Sequence, residues 1–297
     1  MPELPEVETM RLGIGPILGS KIVDVERPRC TRKPIKLEPP IRTFRRLAVG
    51  KTIVELGRAG KRVLVYLAET PRGRRRAEAS AARAAASHVI VFEPRMSGLV
   101  LLAAPPTREH LRLRIELEGG PAEELLYWDR RGLGSVRLME VAELERLYGA
   151  DQLGPDALEL SAAGLRKRLA ASRRPIKVAL LDQRAVAGIG NLYAAEILHL
   201  AKIHPAVRCC DLTAAQWKRL GAAVPKVLRS AIRYEGSTLS DGTYRSALNK
   251  RGGYQNKHRV YARAGKLCST CRKENVERIV QAQRSTFYCP GCQKRRS

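Results

Sequence analysis

Aromatic side chains, acidic residues and long apolar runs are all scarce in this chain of 297 residues. Only 5% of its residues are aromatic although 44% are hydrophobic, so its cores must consist mainly of Leu, Val, Ile and Ala. No apolar run approaches the roughly 20 residues that a membrane-spanning helix needs. The N-terminus also lacks the basic start and apolar core of a signal peptide. These absences predict a cytoplasmic protein with no membrane anchor.

The shortage of acidic residues accompanies a large excess of basic ones. Lys and Arg number 55 against 29 Asp and Glu, which gives a net charge of +26. A charge of this size draws a protein to polyanions before any specific contact forms. Nucleic acid is therefore the predicted partner, with a location at the nucleoid. A basic surface without a function is the alternative that composition leaves open.

The cysteines are seven, an odd number that argues against a disulfide scaffold in a cytoplasmic protein. Four of them form two CxxC pairs, Cys268 with Cys271 and Cys289 with Cys292, separated by 17 residues. This spacing is typical of a site in which four thiolates surround one structural Zn²⁺. The other three are predicted to be buried and structural: Cys30, Cys209 and Cys210.

The apolar pattern changes twice along the chain, which has room for two or three domains. Residues 21–140 contain short bursts rich in Val, Ile and Leu, which predict a sandwich or barrel of mostly antiparallel strands after an N-terminal helix. The predicted strands are 22–25, 52–56, 63–67, 88–92, 111–117 and 135–138. In residues 158–234 the apolar positions recur three and four apart, as in helices. The cysteine pairs enclose two short strands joined by a tip that carries Arg284. We predict an α+β multidomain protein with domains 1–141, 142–247 and 248–297.

The helical region contains two further local signals. Thr213 and Gln216 predict a capping box that starts a long helix, in which Pro225 should produce a kink. Before it, two predicted helices flank a turn that contains Gly188 and Asn191. Such a turn exposes N–H groups where a phosphate binds readily, and Asn191 is predicted to cap the second helix. Glycine turns between helices are common, so this turn alone is weak evidence.

The first residues of the chain suggest a nucleophilic amine at the N-terminus. Removal of the initiator methionine would leave the secondary amine of Pro2 beside the carboxyl group of Glu3. An α-amino group titrates at about pH 8, roughly two to three units below a lysine, so it is the better nucleophile at neutral pH. Amines attack anomeric carbons, and a neighbouring carboxyl group can move the proton that opens the sugar ring. A plainer interpretation is that Pro2 and Pro5 start a helix with Glu6 in its first turn.

Together these features resemble the formamidopyrimidine-DNA glycosylase and endonuclease VIII family of base-excision repair enzymes. The resemblance is carried by residues 2–9 at the start, 188–191 between the helices and 283–286 in the terminal zinc finger. It covers nearly the whole chain. Leu4 and Val7 resemble the formamidopyrimidine branch of the family.

The resemblance implies catalytic roles for five residues. Pro2 would attack the sugar carbon that bears the damaged base and form a covalent iminium. Glu3 would be the acid/base residue that assists ring opening, and Glu6 a nearby carboxylate of the same site. Lys61 would hold a phosphate beside the lesion, and Arg284 would clamp a phosphate that flanks the flipped nucleotide.

The resemblance also implies a set of DNA-binding residues. Asn191 would share the phosphate clamp with Arg284. Met96 and Arg131 match the Met and Arg that fill the gap left by the flipped nucleotide, and Leu133 stands where an aromatic residue would be. Considered alone, Met96 and Leu133 would be interpreted as core residues, but the adjoining Ser-Gly and Arg-Gly sequences predict that they lie on turns. Aromatic stacking on a base is worth about 1 to 3 kcal/mol, of which Leu recovers only the apolar part. We therefore expect a working wedge with an altered lesion search or opposite-base preference.

Two segments depart from the pattern of the family. Residues 250–257 lie where the lesion-covering loop would be, and their two glycines suit a mobile lid. This segment is unusually basic, which leaves the identity of the excised base open. Residues 71–87 are dense in Arg and Ala and are predicted to form a solvated basic loop without a catalytic role.

The implied function is that of a bifunctional DNA glycosylase and abasic-site lyase. It would excise oxidised purines, such as 8-oxoguanine and formamidopyrimidines, from double-stranded DNA and would also act on abasic sites. We expect no redox cofactor or catalytic metal, because the covalent intermediate itself supplies the electron sink. We also expect the protein to be a monomer. Two alternatives stay open, namely a non-catalytic damaged-DNA binder that kept the fold and a zinc-ribbon regulator.

Overall fold

The computed structural model describes residues 2–69 and 85–295. Most of the predicted basic loop, residues 71–84, lies outside the described residues. The chain forms two compact units. The first extends to Gly149 and includes Glu235–Gly253, and the second consists of Ala150–Tyr234 and Tyr254–Ser297. The predicted division into three domains stays a prediction.

The first unit contains three helices and nine strands in its described residues. The helices are α1 (Leu4–Gly13), α2 (Ile41–Ala48) and α3 (Val141–Tyr148). The strands are β1 (Lys21–Glu26), β2 (Lys36–Glu38), β3 (Lys51–Ala59), β4 (Arg62–Glu69), β5 (His88–Glu93), β6 (Gly98–Leu101), β7 (Leu111–Glu118), β8 (Glu124–Asp129) and β9 (Ser135–Glu140). Short 3₁₀ turns occur at Gly15–Ile17 and Arg108–His110.

Hydrogen bonds join these strands into one nine-stranded sheet in the order β2, β9, β5, β4, β3, β1, β7, β8, β6. All neighbouring pairs are antiparallel except β2 and β9. A large aliphatic core lies beneath the sheet and includes Val7 and Met10 of α1 and Phe44 of α2. This aliphatic core agrees with the scarcity of aromatic residues.

Three of these strands are absent from the sequence prediction, namely β2, β6 and β8. Strand β8 begins with an acidic residue and continues as Leu125-Leu126-Tyr127-Trp128, all buried. A strand that is buried on both faces shows no alternation, so its pattern does not distinguish it from a buried helix segment. Strand β6 is also buried throughout, and it is only four residues long.

The second unit contains four helices and one hairpin in its described residues. The helices are α4 (Ala162–Leu169), α5 (Ile176–Leu180), α6 (Asn191–Ala201) and α7 (Ala214–Arg233). Nearly every residue of α6 is buried, which agrees with the mostly apolar sequence of this helix. Short 3₁₀ turns occur at Cys209–Asp211 and Tyr254–Lys257.

Helix α7 confirms the predicted capping box. Thr213 accepts a hydrogen bond from the Gln216 N–H, and the Gln216 side chain accepts one from the Thr213 N–H. Pro225 lies inside the helix without ending it. The predicted α+β class, with a sheet domain, a helical region and a terminal hairpin, is confirmed.

The terminal hairpin pairs β10 (Glu277–Gln281) with β11 (Arg284–Tyr288). Ala282 and Gln283 form its turn, both with positive φ (47° and 61°), as a two-residue hairpin turn of this hand requires. Arg284 is therefore the first residue of β11 and is exposed next to the turn. This position agrees with the predicted location of Arg284 at the tip.

The cysteines outside the CxxC pairs are only partly as predicted. Cys209 is buried, but Cys210 is exposed and Cys30 is half-buried, so the prediction is wrong for these two. Cys209 and Cys210 are consecutive in a helical turn, where neighbouring side chains point in different directions. Cys30 is at the surface, where its thiol contacts the Glu109 carbonyl and the Arg112 guanidinium.

Candidate active site and nucleic-acid interface

The first residues of the chain are fixed by hydrogen bonds at the start of α1. Glu3 and Glu6 are 3% and 2% exposed. Glu6 Oε2 accepts the Glu3 N–H at 2.9 Å, as in a capping box, and Glu6 Oε1 accepts the Ser237 N–H at 2.9 Å. Glu6 therefore fixes the backbone that carries Pro2 and Glu3. The plainer interpretation is confirmed for Pro5 and Glu6, which lie in the first turn of the helix, and the role of Pro2 as a nucleophile stays a prediction.

Lys61 lies in the turn between β3 and β4, where Ala59 pairs with Arg62. The neighbouring Arg58 connects this turn to α1. Its Nη1 donates to the Gly60 carbonyl at 3.0 Å, and its Nε donates to Glu8 Oε2 at 2.8 Å. The Arg58 guanidinium thus forms hydrogen bonds both to the helix that follows Pro2 and to the hairpin that carries Lys61.

Glu8 is the acceptor for two arginines. Arg11 Nη2 donates to Glu8 Oε1 at 2.5 Å, in addition to the contact from Arg58. Burial alone would raise the pKa of Glu8, but the hydrogen bonds and charges of the two guanidinium groups outweigh it and lower this pKa. Glu8 is therefore ionised at neutral pH and maintains the connection between α1 and the Lys61 hairpin.

Met96, Arg131 and Leu133 all lie on turns, as their sequence contexts predict. Met96 is 36% exposed and Leu133 is 39% exposed, so neither side chain belongs to a buried core. Arg131 is also exposed. The interpretation of Met96 and Leu133 as core residues is therefore wrong. Their role as a wedge stays a prediction.

Asn191 does not cap α6, contrary to the sequence prediction. The N-cap is Gly190, and Asn191 is the first helical residue. Its Oδ1 accepts from Lys177 Nζ at 2.6 Å, and its Nδ2 donates to the Ser285 carbonyl at 2.9 Å. The Asn191 side chain thus connects helix α5, helix α6 and the strand that begins at Arg284.

The turn before α6 has the tight geometry that its glycines predict. Gly188 has a φ of +103°, which L side chains rarely adopt, and its N–H donates to Gln183 Oε1 at 2.9 Å. Gln183 Nε2 in turn donates to the Ile189 carbonyl at 2.9 Å. One glutamine side chain therefore holds the turn on both sides.

The terminal hairpin is attached to the helical part of the second unit at further points. Gln281 Nε2 donates to the Pro205 carbonyl at 3.3 Å. The buried Gln293 accepts from the Cys289 N–H and donates to the Ile203 carbonyl, both at 2.9 Å. Together with Asn191, these contacts fix the position of Arg284 relative to the helices of its unit.

The four CxxC cysteines form one cluster. Their Sγ atoms all lie within 4.8 Å of one another, and the shorter separations are 3.6 Å for Cys271 and Cys289 and 3.9 Å for Cys268 and Cys292. A tetrahedron of thiolates at about 2.3 Å from Zn²⁺ has edges of roughly 3.8 Å. The cluster therefore has the size that a structural zinc ion requires.

The pKa values of these thiols are shifted in different directions. Backbone N–H groups of Glu274 and Lys273 lower the pKa of Cys271 to about 6, whereas burial raises the pKa of Cys289 and of Cys292. Adjacent thiols oppose each other's ionisation, so a divalent ion is needed to hold all of them as thiolates.

The fold, with an N-terminal sheet domain, a helical region and a terminal zinc finger, defines a class of DNA repair enzyme, and the comparisons with known proteins agree. The formamidopyrimidine-DNA glycosylase N-terminal domain model matches residues 1–136. The formamidopyrimidine-DNA glycosylase H2TH domain model matches residues 153–243, and the zinc finger found in FPG and IleRS matches residues 265–295.

Individual proteins give the same result. A formamidopyrimidine-DNA glycosylase of Chloroflexus aggregans is 39% identical over 99% of this chain and 98% of its own length. A Lactococcus lactis FPG mutant, solved with DNA containing Fapy-dG, aligns with a TM-score of 0.82 at 29% identity over 99% of this chain and 100% of its own. The Lactococcus lactis Fpg with DNA containing an abasic site aligns with a TM-score of 0.81 at 29% identity over the same shares.

The chain belongs to the formamidopyrimidine-DNA glycosylase family. It is a base-excision repair glycosylase that acts on damaged DNA, and abasic-site lyase activity is a general property of this family. The four clustered cysteines are its structural zinc site. Family membership favours the enzyme over a non-catalytic binder and a zinc-ribbon regulator. None of the helices within residues 2–69 and 85–295 is long and apolar enough to cross a membrane.

Proposed function

We propose that this enzyme removes oxidised purines from double-stranded DNA through a covalent bond between the nitrogen of Pro2 and C1′ of the damaged nucleotide. The lone pair of the amine forms the new bond as the bond from C1′ to the base breaks. The base leaves with the bonding electron pair and takes up the proton that the Pro2 nitrogen loses. Glu3 provides the proton that allows the sugar ring to open, which leaves an iminium. The observation that supports this proposal best is the fixed start of α1, where Glu6 bonds to both the Glu3 and the Ser237 N–H groups.

The iminium also accounts for strand cleavage. It acidifies the neighbouring sugar protons and accepts the electron pair as the phosphates on either side are eliminated. The reaction therefore needs no electron sink beyond the covalent intermediate. Lys61, Asn191 and Arg284 bind the phosphates around the lesion and hold the backbone bent while the base is out of the stack, where the chemistry requires it.

We further propose that Met96, Arg131 and Leu133 fill the space vacated by the extruded nucleotide. The exposed apolar tips of Met96 and Leu133 support this assignment. The substrate is duplex DNA with oxidised or ring-opened purines or abasic sites. The Lactococcus lactis relatives were solved with DNA that contains Fapy-dG and with DNA that contains an abasic site. The protein acts as a monomer on the nucleoid in the cytoplasm.

Borohydride trapping tests the proposal directly. Wild-type protein mixed with an 8-oxoguanine duplex and reduced should give a covalent protein–DNA band. Pro2→Gly should lower the rate of trapping by roughly 100-fold or more, because the amine changes from secondary to primary and loses its ring. Glu3→Gln should block base excision but should reduce strand cleavage at a preformed abasic site less strongly.

The matched control is Asp24→Asn, which alters a carboxylate of the same unit that accepts from the Val25 N–H and from Arg45. This variant should trap DNA at the wild-type rate. A second variant with extra residues ahead of Pro2 should give no band. An undiminished band from that extended protein would disprove attack by the Pro2 nitrogen.

A further inference from the structure

The turns that carry Met96 and Leu133 share one buried polar pair, Ser97 and Asp129. Ser97 is 1% exposed and Asp129 is 0% exposed. The Ser97 hydroxyl donates to Asp129 Oδ1, which connects the turn after β5 to the end of β8. The two turns are 32 residues apart in sequence, so this contact depends on the folded sheet.

The same two side chains also bind the backbone of the second turn. The Arg131 N–H donates to Ser97 Oγ at 3.0 Å and to Asp129 Oδ1 at 3.1 Å. The Gly134 N–H donates to Asp129 Oδ2 at 2.8 Å. Both oxygens of the Asp129 side chain therefore have partners, as fully buried polar atoms require. The residues between these two anchors include Leu133.

Tyr127 lies against both of these turns. The fully buried Tyr127 donates its hydroxyl to the Glu93 carbonyl at 3.1 Å. A Cβ atom at Gly98 or at Gly134 would clash with this hydroxyl, so both turns approach Tyr127 as closely as glycine allows. Burial, together with the charges of Asp129 and Glu93, raises the pKa of Tyr127, which therefore remains a neutral donor.

We propose that Ser97 and Asp129 are positioning residues that hold the Met96 turn and the Arg131–Leu133 turn as one rigid block, so that the three wedge side chains enter the duplex together. A preorganised wedge loses little conformational freedom on insertion, so more of the contact energy opens the base pair. This rigidity compensates for the stacking that Leu133 lacks. The inference rests on the wedge assignment in the proposed function.

The test is Asp129→Asn, which keeps the size of the side chain but replaces one acceptor oxygen with a donor. One of the bonds to Ser97, Arg131 or Gly134 must then be lost. Single-turnover excision and the fluorescence of a 2-aminopurine beside the lesion would be measured on an intact duplex and on a duplex with a one-nucleotide gap opposite the lesion. The gapped duplex needs no wedge to keep the strands apart.

We expect Asp129→Asn to slow opening and excision on the intact duplex roughly tenfold, with little change on the gapped duplex. Ser97→Ala, which removes only the shared hydroxyl, should have the same selectivity and serves if Asp129→Asn does not fold. Asp24→Asn is the matched control and should behave as wild type on both duplexes. Equal losses on both duplexes, or no loss on either, would overturn the inference.

Met96→Ala separates this inference from the proposed function. Slow opening of the intact duplex by Met96→Ala, combined with normal opening by both Asp129→Asn and Ser97→Ala, would refute only the positioning role. Normal opening by Met96→Ala would refute the wedge assignment itself. In either case the trapping experiment on Pro2 remains an independent measurement of the covalent step.

Discussion

Two hairpins present the predicted phosphate-binding side chains, and they are stabilised in different ways. Lys61 lies on the β3–β4 turn, whose strands contribute to a core cluster of thirty buried residues. Arg284 lies beside the β10–β11 turn, where the corresponding cluster has five buried members, two of them zinc-binding cysteines. A short hairpin cannot bury enough apolar area to fold alone, so the metal replaces the core.

The contrast extends to the side chains of the two hairpins. Strand β4 is buried at six consecutive positions, whereas β10 is largely exposed, and Val280 has 65% of its surface accessible. The stability of the Lys61 hairpin should therefore depend on apolar packing and that of the Arg284 hairpin on thiolates and a few polar contacts. Each dependence can be tested separately.

The largest effect should come from removing one zinc ligand. Cys289→Ser should release the metal and unfold the terminal hairpin, because structural zinc contributes on the order of 10 kcal/mol to the folding of such small units. Arg284 would lose its fixed position, so we expect loss of DNA binding with the far-ultraviolet signal of the sheet retained. Zinc content and duplex affinity would be measured together. Normal affinity for DNA in a zinc-free variant would contradict the dependence of the Arg284 hairpin on zinc.

A smaller loss should follow truncation of the sheet core. Phe44 of α2 is fully buried, and Phe44→Ala should lower the free energy of unfolding by about 3 to 5 kcal/mol because it leaves a cavity. The control is Val280→Ala on the exposed hairpin strand, which should cost no more than about 0.5 kcal/mol. Chemical denaturation measures both. Similar losses at the two positions would show that the hairpin also depends on apolar packing.

The smallest expected effect concerns acid sensitivity in the second unit. Burial, with a contribution from the charge of Arg263, lowers the pKa of His258 to about 4 from 6.5. Because His258 binds a proton more readily in the unfolded protein than in the folded one, protonation favours unfolding. The free energy of unfolding therefore falls as the pH decreases from about 6.5 towards 4. His258→Phe should reduce this loss by roughly 2 kcal/mol over that window. If the free energy of unfolding changed equally with pH in the variant and the wild type, the lowered pKa of His258 would be contradicted.

Local patterns were sufficient to predict much of this protein. The CxxC spacing predicted the zinc cluster, and Thr213 with Gln216 predicted the start of α7, because each signal is complete within a short stretch of sequence. The turn positions of Met96 and Leu133 were also predicted from their neighbours. Strand β8 was missed because a fully buried strand has no alternation.

The contacts that fix the site were not predictable in this way. Glu6 bonds to a backbone group 231 residues away, and Asn191 bonds to one 94 residues away. Asn191 was expected to cap a helix because Asn favours that position, but the approach of Lys177 and Ser285 determines its actual contacts. The contact between Glu8 and Arg58, which are 50 residues apart, gives no signal in the sequence.

The zinc cluster ties the enzyme to the same reactive oxygen chemistry that damages DNA. Cys268 and Cys289 are buried, whereas Cys271 and Cys292 are only half-buried, so peroxide reaches the second pair first. Oxidation of a single sulfur would eject the metal and disable the hairpin that carries Arg284. The capacity for repair would then decline under the very stress that increases the number of lesions, unless cellular thiols keep the cluster reduced.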